Sequence, residues 1–444
     1  MRPKEPAPKA ELELFRQELV NLLDQRHALF KLADHIDWSA AVERFGPLYS
    51  DEGRPGVPIR LMVGLHYLKH AFNLSDELVV ERWVENPYWQ YFCGAQYFAH
   101  SLPIDPSQMT RFRTRVGAAG CEFMLLLTIE AGLATRTVAP TSFAAVNVDT
   151  TVQEKAIAHP TDARLYHKAR VALVRHAQRA GIELRQSYVR LSRRALVMNG
   201  RYARAQQFKR ARREQKRLRT YLGRVIRDIE RKLEVAQGSH RACLERLLPT
   251  ARRIHVQRRT DTKKVYSVHA PEVECIAKGK VHKRYEFGVK VSVASTSKDN
   301  FVVGMQALPG SPYDGHTLKQ ALEQVAALTG VAPTQAFVDR GYRGHDVNRL
   351  TVWIAGAKRG VTAAIQKKLK RRNAIEPIIG HLKSDGRLAR NFLKGAAGDA
   401  MNALLAGAGH NLRKILRHLA LCWLQFLQRW ARFVVASSLR AAVA

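Results

Sequence analysis

The sequence is poor in acid. Its 444 residues hold 38 Asp and Glu against 73 Lys and Arg, a formal net charge of +35, with a pI near 10.5. That excess cannot be neutralised within the chain, so it implies a polyanionic partner, nucleic acid above all. Anionic membrane is the alternative that charge alone leaves open. The sequence has only five cysteines, Cys93, Cys121, Cys243, Cys275 and Cys422, with no CxxC pair. This argues against a zinc finger and a disulfide framework and fits a reducing cytoplasm. His66 and His70 stand at i, i+4 without the HExxH glutamate, so the 17 histidines offer no zinc-protease motif. The N-terminus, MRPKEPAPKAELELF, lacks an apolar signal core. The most apolar tail segment, 415–437, is broken by Arg417, Arg429 and Arg432, whereas a bilayer span needs about 20 apolar residues. It reads as a packed amphipathic helix, and no membrane partner is expected. Hydrophobic residues make up 46% of the chain, enough for packed cores, and the length suggests roughly two to four structural units.

The first third is helical in pattern. Residues 11–34 carry Leu12, Phe15, Leu19, Leu22 and Leu23 on one face. A second helix follows Pro58 over 58–72, and Ser75 is positioned to cap a third containing Leu78, Val79 and Trp83. The aromatic cluster Trp83, Tyr88, Trp89, Tyr91, Phe92, Tyr97 and Phe98 serves either core packing or base stacking. Ser107 is expected to cap a helix, SQMTRFRTRVG, whose Arg111, Arg113 and Arg115 form either a DNA-reading face or a solvated basic one.

Residues 142–150 read as a buried strand ending at Asp149. Residues 160–260 then hold 28 Lys and Arg against 7 Asp and Glu. That block is helical in pattern, with breaks at Gly200 and at Gly238–Ser239, and its charge density points to DNA backbone binding. Strand signals resume in KRYEFGVKVSVAS, where Tyr285, Phe287, Val289, Val291 and Val293 share one face and Glu286 faces solvent. A turn at Lys298–Asn300 leads into FVVGMQAL. A helix over 314–328, a strand 333–339 ending in Asp339, a short strand VTAAI at 361–365 and a helix holding Glu376 complete the order. Strand, hairpin, helix, strand, strand, helix is the order of a ribonuclease H-like α/β domain, here with a large basic α-helical insertion after the first strand and an all-α N-terminal domain before it.

Three acids stand in distinctive settings: Asp149 in VNVDTT, Asp339 in AFVDRGYRGH and Glu376 in NAIEPIIGHLKSDGR. Carboxylates at the ends of adjacent strands, with a third from a crossing helix, would suit Mg²⁺, which takes its remaining ligands from water and phosphate. Arg372, Glu376 and Lys383, at i−4, i and i+7, share a helical face, with Gly380 leaving room for a DNA backbone. Pro377 marks a helix start or kink at Glu376. The run QKKLKRR supplies Lys367, Lys368, Lys370, Arg371 and Arg372 for phosphates. Arg340 and Tyr342 adjoin Asp339, and Tyr342 either stacks on a terminal base or packs. Glu286, Asp299 and Asp314 are candidate fourth carboxylates. His381 lies off the Glu376 face and is set aside.

With these motifs the chain resembles bacterial insertion-sequence DDE transposases of the large groups numbered four and five. The N-terminal stretch RPGVPIRLMVGLHYLKHAFNLSDELVVERWVENPYWQYFCG, the motifs VDTT, VDRGYRGH and IEPIIGHLKSDGR, and the segment 268–294 carry the resemblance, which covers nearly the whole chain. It implies Asp149, Asp339 and Glu376 as metal ligands for Mg²⁺, with Mn²⁺ substituting, and Arg372 and Lys383 as contacts to the transposon end. Leu369 stands where the signature carries tyrosine. The resemblance further implies binding of terminal inverted repeats, hydrolysis at both ends and attack of the freed 3′-hydroxyls on target DNA. The partners would be double-stranded DNA and a second copy of the chain or a larger assembly, with no small-molecule substrate, in a bacterial cytoplasm at the nucleoid. The expected division is 1–135 for end binding and dimerisation, 140–159 with 260–395 for the ribonuclease H-like domain, 160–259 for the insertion and 396–444 for a C-terminal helical segment. A degenerate end-binding repressor and a non-joining nuclease such as a junction resolvase are the competing readings. Cleavage and strand-transfer assays separate them.

Overall fold

Short apolar runs between capping residues build the N-terminal region. The computed structural model describes residues 17–443 except 51, 53–54, 237, 278–283 and 357–360, and side chains except at 235 and 422–443. Helices α1 (Leu19–Leu22), α2 (Ala28–His35), α3 (Trp38–Phe45), α4 (Ile59–Ala71), α5 (Asp76–Glu85), α6 (Pro87–Phe92) and α7 (Ser107–Ala134) follow one another. The single helix expected over 11–34 is therefore split: the chain turns extended at Leu23 and restarts with His27 accepting from Leu29 N. Leu12 and Phe15 lie outside the described residues. Pro58 precedes α4, and Ser75 Oγ accepts from Leu78 N to cap α5, both as the sequence indicates. Ser107 is instead the first residue of α7, held by Asp105 Oδ1. Gly117, at φ 63°, kinks that helix, which continues well past the expected end. By length and composition α7 would suffice to cross a bilayer, but Met124, Leu125, Leu127 and Ile129 are buried in the fold.

By contacts the chain divides into two compact units, Met1–Gln153 with Lys290–Ala444, and Glu154–Val289. The sheet has strands β1 (Ala145–Glu154), β2 (Glu274–Ala277), β3 (Tyr285–Thr296), β4 (Val302–Leu308), β5 (Gln335–Val338) and β6 (Thr351–Ile354). Its order is β2-β3-β1-β5-β6, with β4 also paired to β3. The β2–β3 and β3–β4 pairs are antiparallel; β1–β5 and β5–β6 are parallel. The mixed α/β character and the helical N-terminal region match expectation. The strand expected at VTAAI does not form: Thr362 caps helix α13 (Ala363–Arg372), and the last strand lies earlier, at β6. Glu286, expected at the surface, is buried opposite Ile276 of β2, whereas Tyr285 is exposed.

In the second unit, α8 (Asp162–Arg179), α9 (Val189–Arg204), α10 (Phe208–Arg231) and α11 (Gly238–Val256) close around Leu173, Leu218, Leu222, Leu244, Leu248 and Ile254. Gly200 lies inside α9 rather than at a break; the chain turns at 205–207, and Gly238 (φ 65°) opens α11. The arginines of α9 and α10 that do not pack inward line their outer faces. In the first unit, α12 (Asp314–Thr329) covers the sheet, α14 (Ile375–Ser384) follows α13, and the long α15 (Gly395–Val443) packs on α4, α7 and β4. The α15–α4 contact is at backbone distance: a Cβ on Gly409 would lie 2.6 Å from the His70 carbonyl.

Candidate active site

Two of the three acidic motifs, those of Asp149 and Asp339, lie on the sheet. Asp149 lies in the middle of β1, not at its end, because Thr151, Val152 and Gln153 stay buried and prolong the strand. In the parallel β1–β5 pair Asn147 faces Phe337. The pairing ends there; carried two residues further, the same register would set Asp149 opposite Asp339, the first residue past β5, on strands whose usual spacing is about 4.8 Å. Asp339 turns the chain by accepting Gly341 N on Oδ1 at 2.8 Å. Asp314, the first residue of α12, lies close by. A Cβ added at Gly341 would lie 3.0 Å from Asp339 Oδ1 and 3.1 Å from Asp314 Oδ2, so a larger residue there would push the two acids aside by a few tenths of an ångström.

The polar groups around them are specific. Arg372 Nη2 donates to Asp149 Oδ2 at 3.0 Å from a side chain only 7% exposed. Thr150 Oγ1 donates to Asp314 Oδ1 at 2.9 Å, and Lys290 Nζ donates to the same oxygen at 3.0 Å and to Pro312 O at 2.7 Å. Tyr342 is wholly buried, and its hydroxyl makes no hydrogen bond among the described residues. Burial drives that hydroxyl far above the usual phenol range, with Asp149, Asp314 and Asp339 adding to the rise and Arg372 opposing it. A buried hydroxyl thus lies within the field of three aspartates. Among the described residues no group of three or more His, Cys, Asp or Glu side chains converges tightly enough to hold a metal ion.

The remaining residues singled out from sequence scatter. Glu376 is exposed on the first turn of α14 and forms no side-chain hydrogen bond or ion pair among the described residues. The single helix expected to align Arg372, Glu376 and Lys383 is broken at Asn373–Ala374, so Arg372 ends α13 while Glu376 and Lys383 belong to α14, with Pro377 in its first turn. Lys367, Lys368 and Lys370 are exposed on α13; Lys368 reaches Gln335 Oε1 at 2.9 Å. Arg371 folds back onto the carbonyls of Ser297 and Lys298. The Arg340 guanidinium lies over Gly356, and Lys383 is half-buried. In α7, Arg111 is exposed and Arg115 sits over the Tyr49 ring at 4.1 Å. Arg113 is turned into the core, where it grips Asp76. Trp83, Trp89 and Phe92 are likewise core residues. Sequence reading missed the roles of Thr150, although it lies within VDTT, and of Lys290, which carries no motif signal. It also missed Phe392, an exposed ring flanked by Arg387 at 5.7 Å and Arg390 at 5.2 Å.

A family model described as "Transposase domain (DUF772)" matches residues 17–115, the helical region from α1 into α7. An uncharacterized protein, ORF8 in the nfe locus of Rhizobium meliloti, is 57% identical over 208 residues, which are 47% of this chain and 100% of that protein. This chain belongs to that protein's family and carries a transposase domain. No solved structure matches it. The transposase domain thus precedes, within the first unit, the sheet that gathers Asp149, Asp314 and Asp339.

Proposed function

We propose that this transposase-family protein is a DNA transposase of the DDE kind. It would bind the inverted-repeat ends of its element, hydrolyse strands there and join the 3′-ends to target DNA. The observation that carries the reading is that Asp149 and Asp339 stand on neighbouring parallel strands, each two residues beyond the Asn147–Phe337 pair, with Arg372 bonded to Asp149. The strand order β4-β3-β1-β5-β6, antiparallel at β3–β4 and parallel through β1, β5 and β6, supports a ribonuclease H-like catalytic fold.

The donor chemistry at this point is all oxygen, which fits Mg²⁺ or Mn²⁺: such ions take one or two carboxylates and complete their shells with water and phosphate oxygens. Asp149 and Asp339 would hold the cation, and Glu376, on the exposed first turn of α14, would join when DNA seats beside it. The bound cation would supply charge stabilisation at the reacting phosphate. Arg372 holds Asp149 in place, the exposed lysines of α13 are placed for phosphate contacts, and the ring of Phe392 between two arginines offers a stacking surface for a base. The basic helices of the second unit would track the DNA backbone, with salt-dependent affinity. Cutting two ends together calls for at least two copies of the chain.

The DNA flanking the reading frame supplies the substrate: a duplex bearing its inverted repeat. Wild-type protein is expected to nick it with Mg²⁺ and join the 3′-end to a second duplex. Asp149→Ala is expected to retain end binding and lose at least about a thousandfold in cleavage, in line with removal of one catalytic group. Undiminished cleavage by purified Asp149→Ala would overturn the assignment.

A further inference from the structure

The contacts of Asp314 go beyond the trio that the motifs single out. It is fixed at the head of α12, it accepts two hydrogen bonds on one oxygen, and its other oxygen is turned toward Asp339 across Gly341. Thr150, which donates to it, is the neighbour of Asp149 in β1, and the Thr150 amide itself donates to Asp149 Oδ1 at 2.7 Å. Asp314, Thr150 and Asp149 therefore form one continuous hydrogen-bonded path. Lys290, on β3, sets an ammonium against Asp314 as Arg372 sets a guanidinium against Asp149. The Tyr342 hydroxyl, buried and without a partner among these groups, is the independent sign that a further polar species joins the cluster when it works. An orphaned buried hydroxyl costs stability and is kept where something pairs with it.

We propose that Asp314 is a positioning residue of the active site, which orients Asp149 through Thr150 and strengthens cation binding by the aspartate pair, and that Lys290 is the built-in counter-ion that restrains this binding. The proposal rests on the reading of Asp149 and Asp339 as cation ligands. Asp314 acts from behind the ligands, through a hydrogen bond and through its charge; residues that orient metal ligands in this way typically change affinity or activity about 10–100-fold when replaced. Lys290 acts with the opposite sign. Its ammonium opposes an incoming divalent cation, so removing it favours the cation even though Asp314 loses a partner.

The test uses the full-length protein and Mn²⁺, whose free concentration is read by electron paramagnetic resonance without any DNA or turnover. Wild type, Asp149→Ala, Asp314→Asn and Lys290→Met are titrated side by side, and Mg²⁺-dependent nicking of the end duplex is measured on the same preparations. Asp314→Asn keeps the shape and an acceptor for Thr150. It is expected to raise the half-saturating Mn²⁺ concentration about tenfold and to shift the Mg²⁺ dependence of nicking in parallel. Lys290→Met is expected to lower the Mn²⁺ midpoint by a few-fold. Unchanged midpoints in both variants, with Asp149→Ala no longer binding Mn²⁺, would overturn the role of Asp314 and Lys290 while leaving the site intact. Wild type and Asp149→Ala that bind Mn²⁺ alike would instead sink the underlying assignment. Should Asp314→Asn fail to fold, Lys290→Met decides alone: a raised or unchanged midpoint refutes the proposal, because a merely structural lysine gives no tighter binding.

Discussion

Charge is buried at two places in the first unit, and the two are composed in opposite ways. In the helical region one carboxylate faces several bases. Asp76, at the start of α5, accepts from Lys69 at 2.8 Å and from both terminal nitrogens of Arg113 at 2.9 and 2.6 Å. Arg113 also lies 3.3 Å from His66 Nε2, while His66 Nδ1 sits 2.7 Å from the Met62 carbonyl. That pattern suits a neutral imidazole donating to Met62 and accepting from Arg113. The Asp76 carboxyl is held well below its usual range: burial opposes this, and the Arg113 and Lys69 contacts outweigh it. At the sheet the proportions reverse. Asp149, Asp314 and Asp339 crowd together against Arg372 and Lys290, and a buried hydroxyl is left unpaired. The first arrangement is closed: its parts come from α4, α5 and α7 and tie those helices together. The second carries more acid than base and, on the function proposed above, would receive a cation. Charge in the first unit would then serve anchorage in one place and binding in the other, and the ratio of acids to bases tells them apart.

Breaking the closed arrangement should cost most in stability. Asp76→Ala leaves Lys69 and Arg113 buried without their carboxylate. Removing one partner of a buried pair costs about 3–5 kcal/mol, and urea denaturation should show a loss of that size. A loss below about 1 kcal/mol would mean that the helices hold without the ion pair and that Asp76 does not anchor them. Asp149→Asn, which keeps an acceptor for Arg372, should alter stability far less while removing cleavage.

Acid probes the same contrast through the histidines. Burial pushes His66 and His410 down to about 3, whereas in the unfolded chain each titrates near 6.5. Their folded values are depressed, so their contribution is fully present above pH 6.5 and is lost progressively as pH falls toward 3. At pH 4.5 each histidine costs about 2–3 kcal/mol relative to neutral pH. Asp76 is depressed as well, but its contribution fades only below the ordinary carboxylate range, so the first acid transition belongs to the histidines. Melting temperatures between pH 7.5 and 4.5 should fall steeply, and His66→Gln should flatten the slope. An unaltered slope in that variant would place the acid sensitivity elsewhere.

How far the sequence reveals this architecture follows from the range of the interactions involved. Local signals read correctly: Pro58 before α4, Ser75 capping α5, the hairpin β3–β4 and the strand before Asp339 are each set by neighbours a few residues away. Partners far along the chain did not read. Arg113 looked like part of a basic helical face because Asp76, 37 positions earlier, gives no sign in sequence of reaching it. Asp314 reaches Thr150 across 164 positions, and no motif marks Lys290. The single helix expected through Arg372 and Glu376 failed for a local reason that was half seen: Pro377 belongs to a first turn, so a new helix had to begin beside it. At the site, the strand end before Asp339 was legible, whereas Asp149 was expected at a strand end and lies inside β1, and the exposed setting of Glu376 was not foreseen.

The smallest expected effect comes from a single methyl group, and it separates the two arrangements most cleanly. Gly341→Ala would put its Cβ 3.0 Å from Asp339 Oδ1 and 3.1 Å from Asp314 Oδ2. Both are side-chain oxygens at a half-buried position, so the acids should shift by a few tenths of an ångström and the fold should survive. Catalysis depends on such offsets, and a loss of about tenfold in Mg²⁺-dependent nicking is expected, equivalent to about 1.4 kcal/mol in the barrier. The matched control is Gly409→Ala, whose Cβ would meet the His70 backbone at 2.6 Å. A backbone cannot yield as a carboxylate does, so that variant should lower the melting temperature markedly. If Gly341→Ala instead lost stability with nicking per folded molecule unchanged, the spacing between Asp314 and Asp339 would be a packing constraint, and the sheet cluster would resemble the Asp76 network after all.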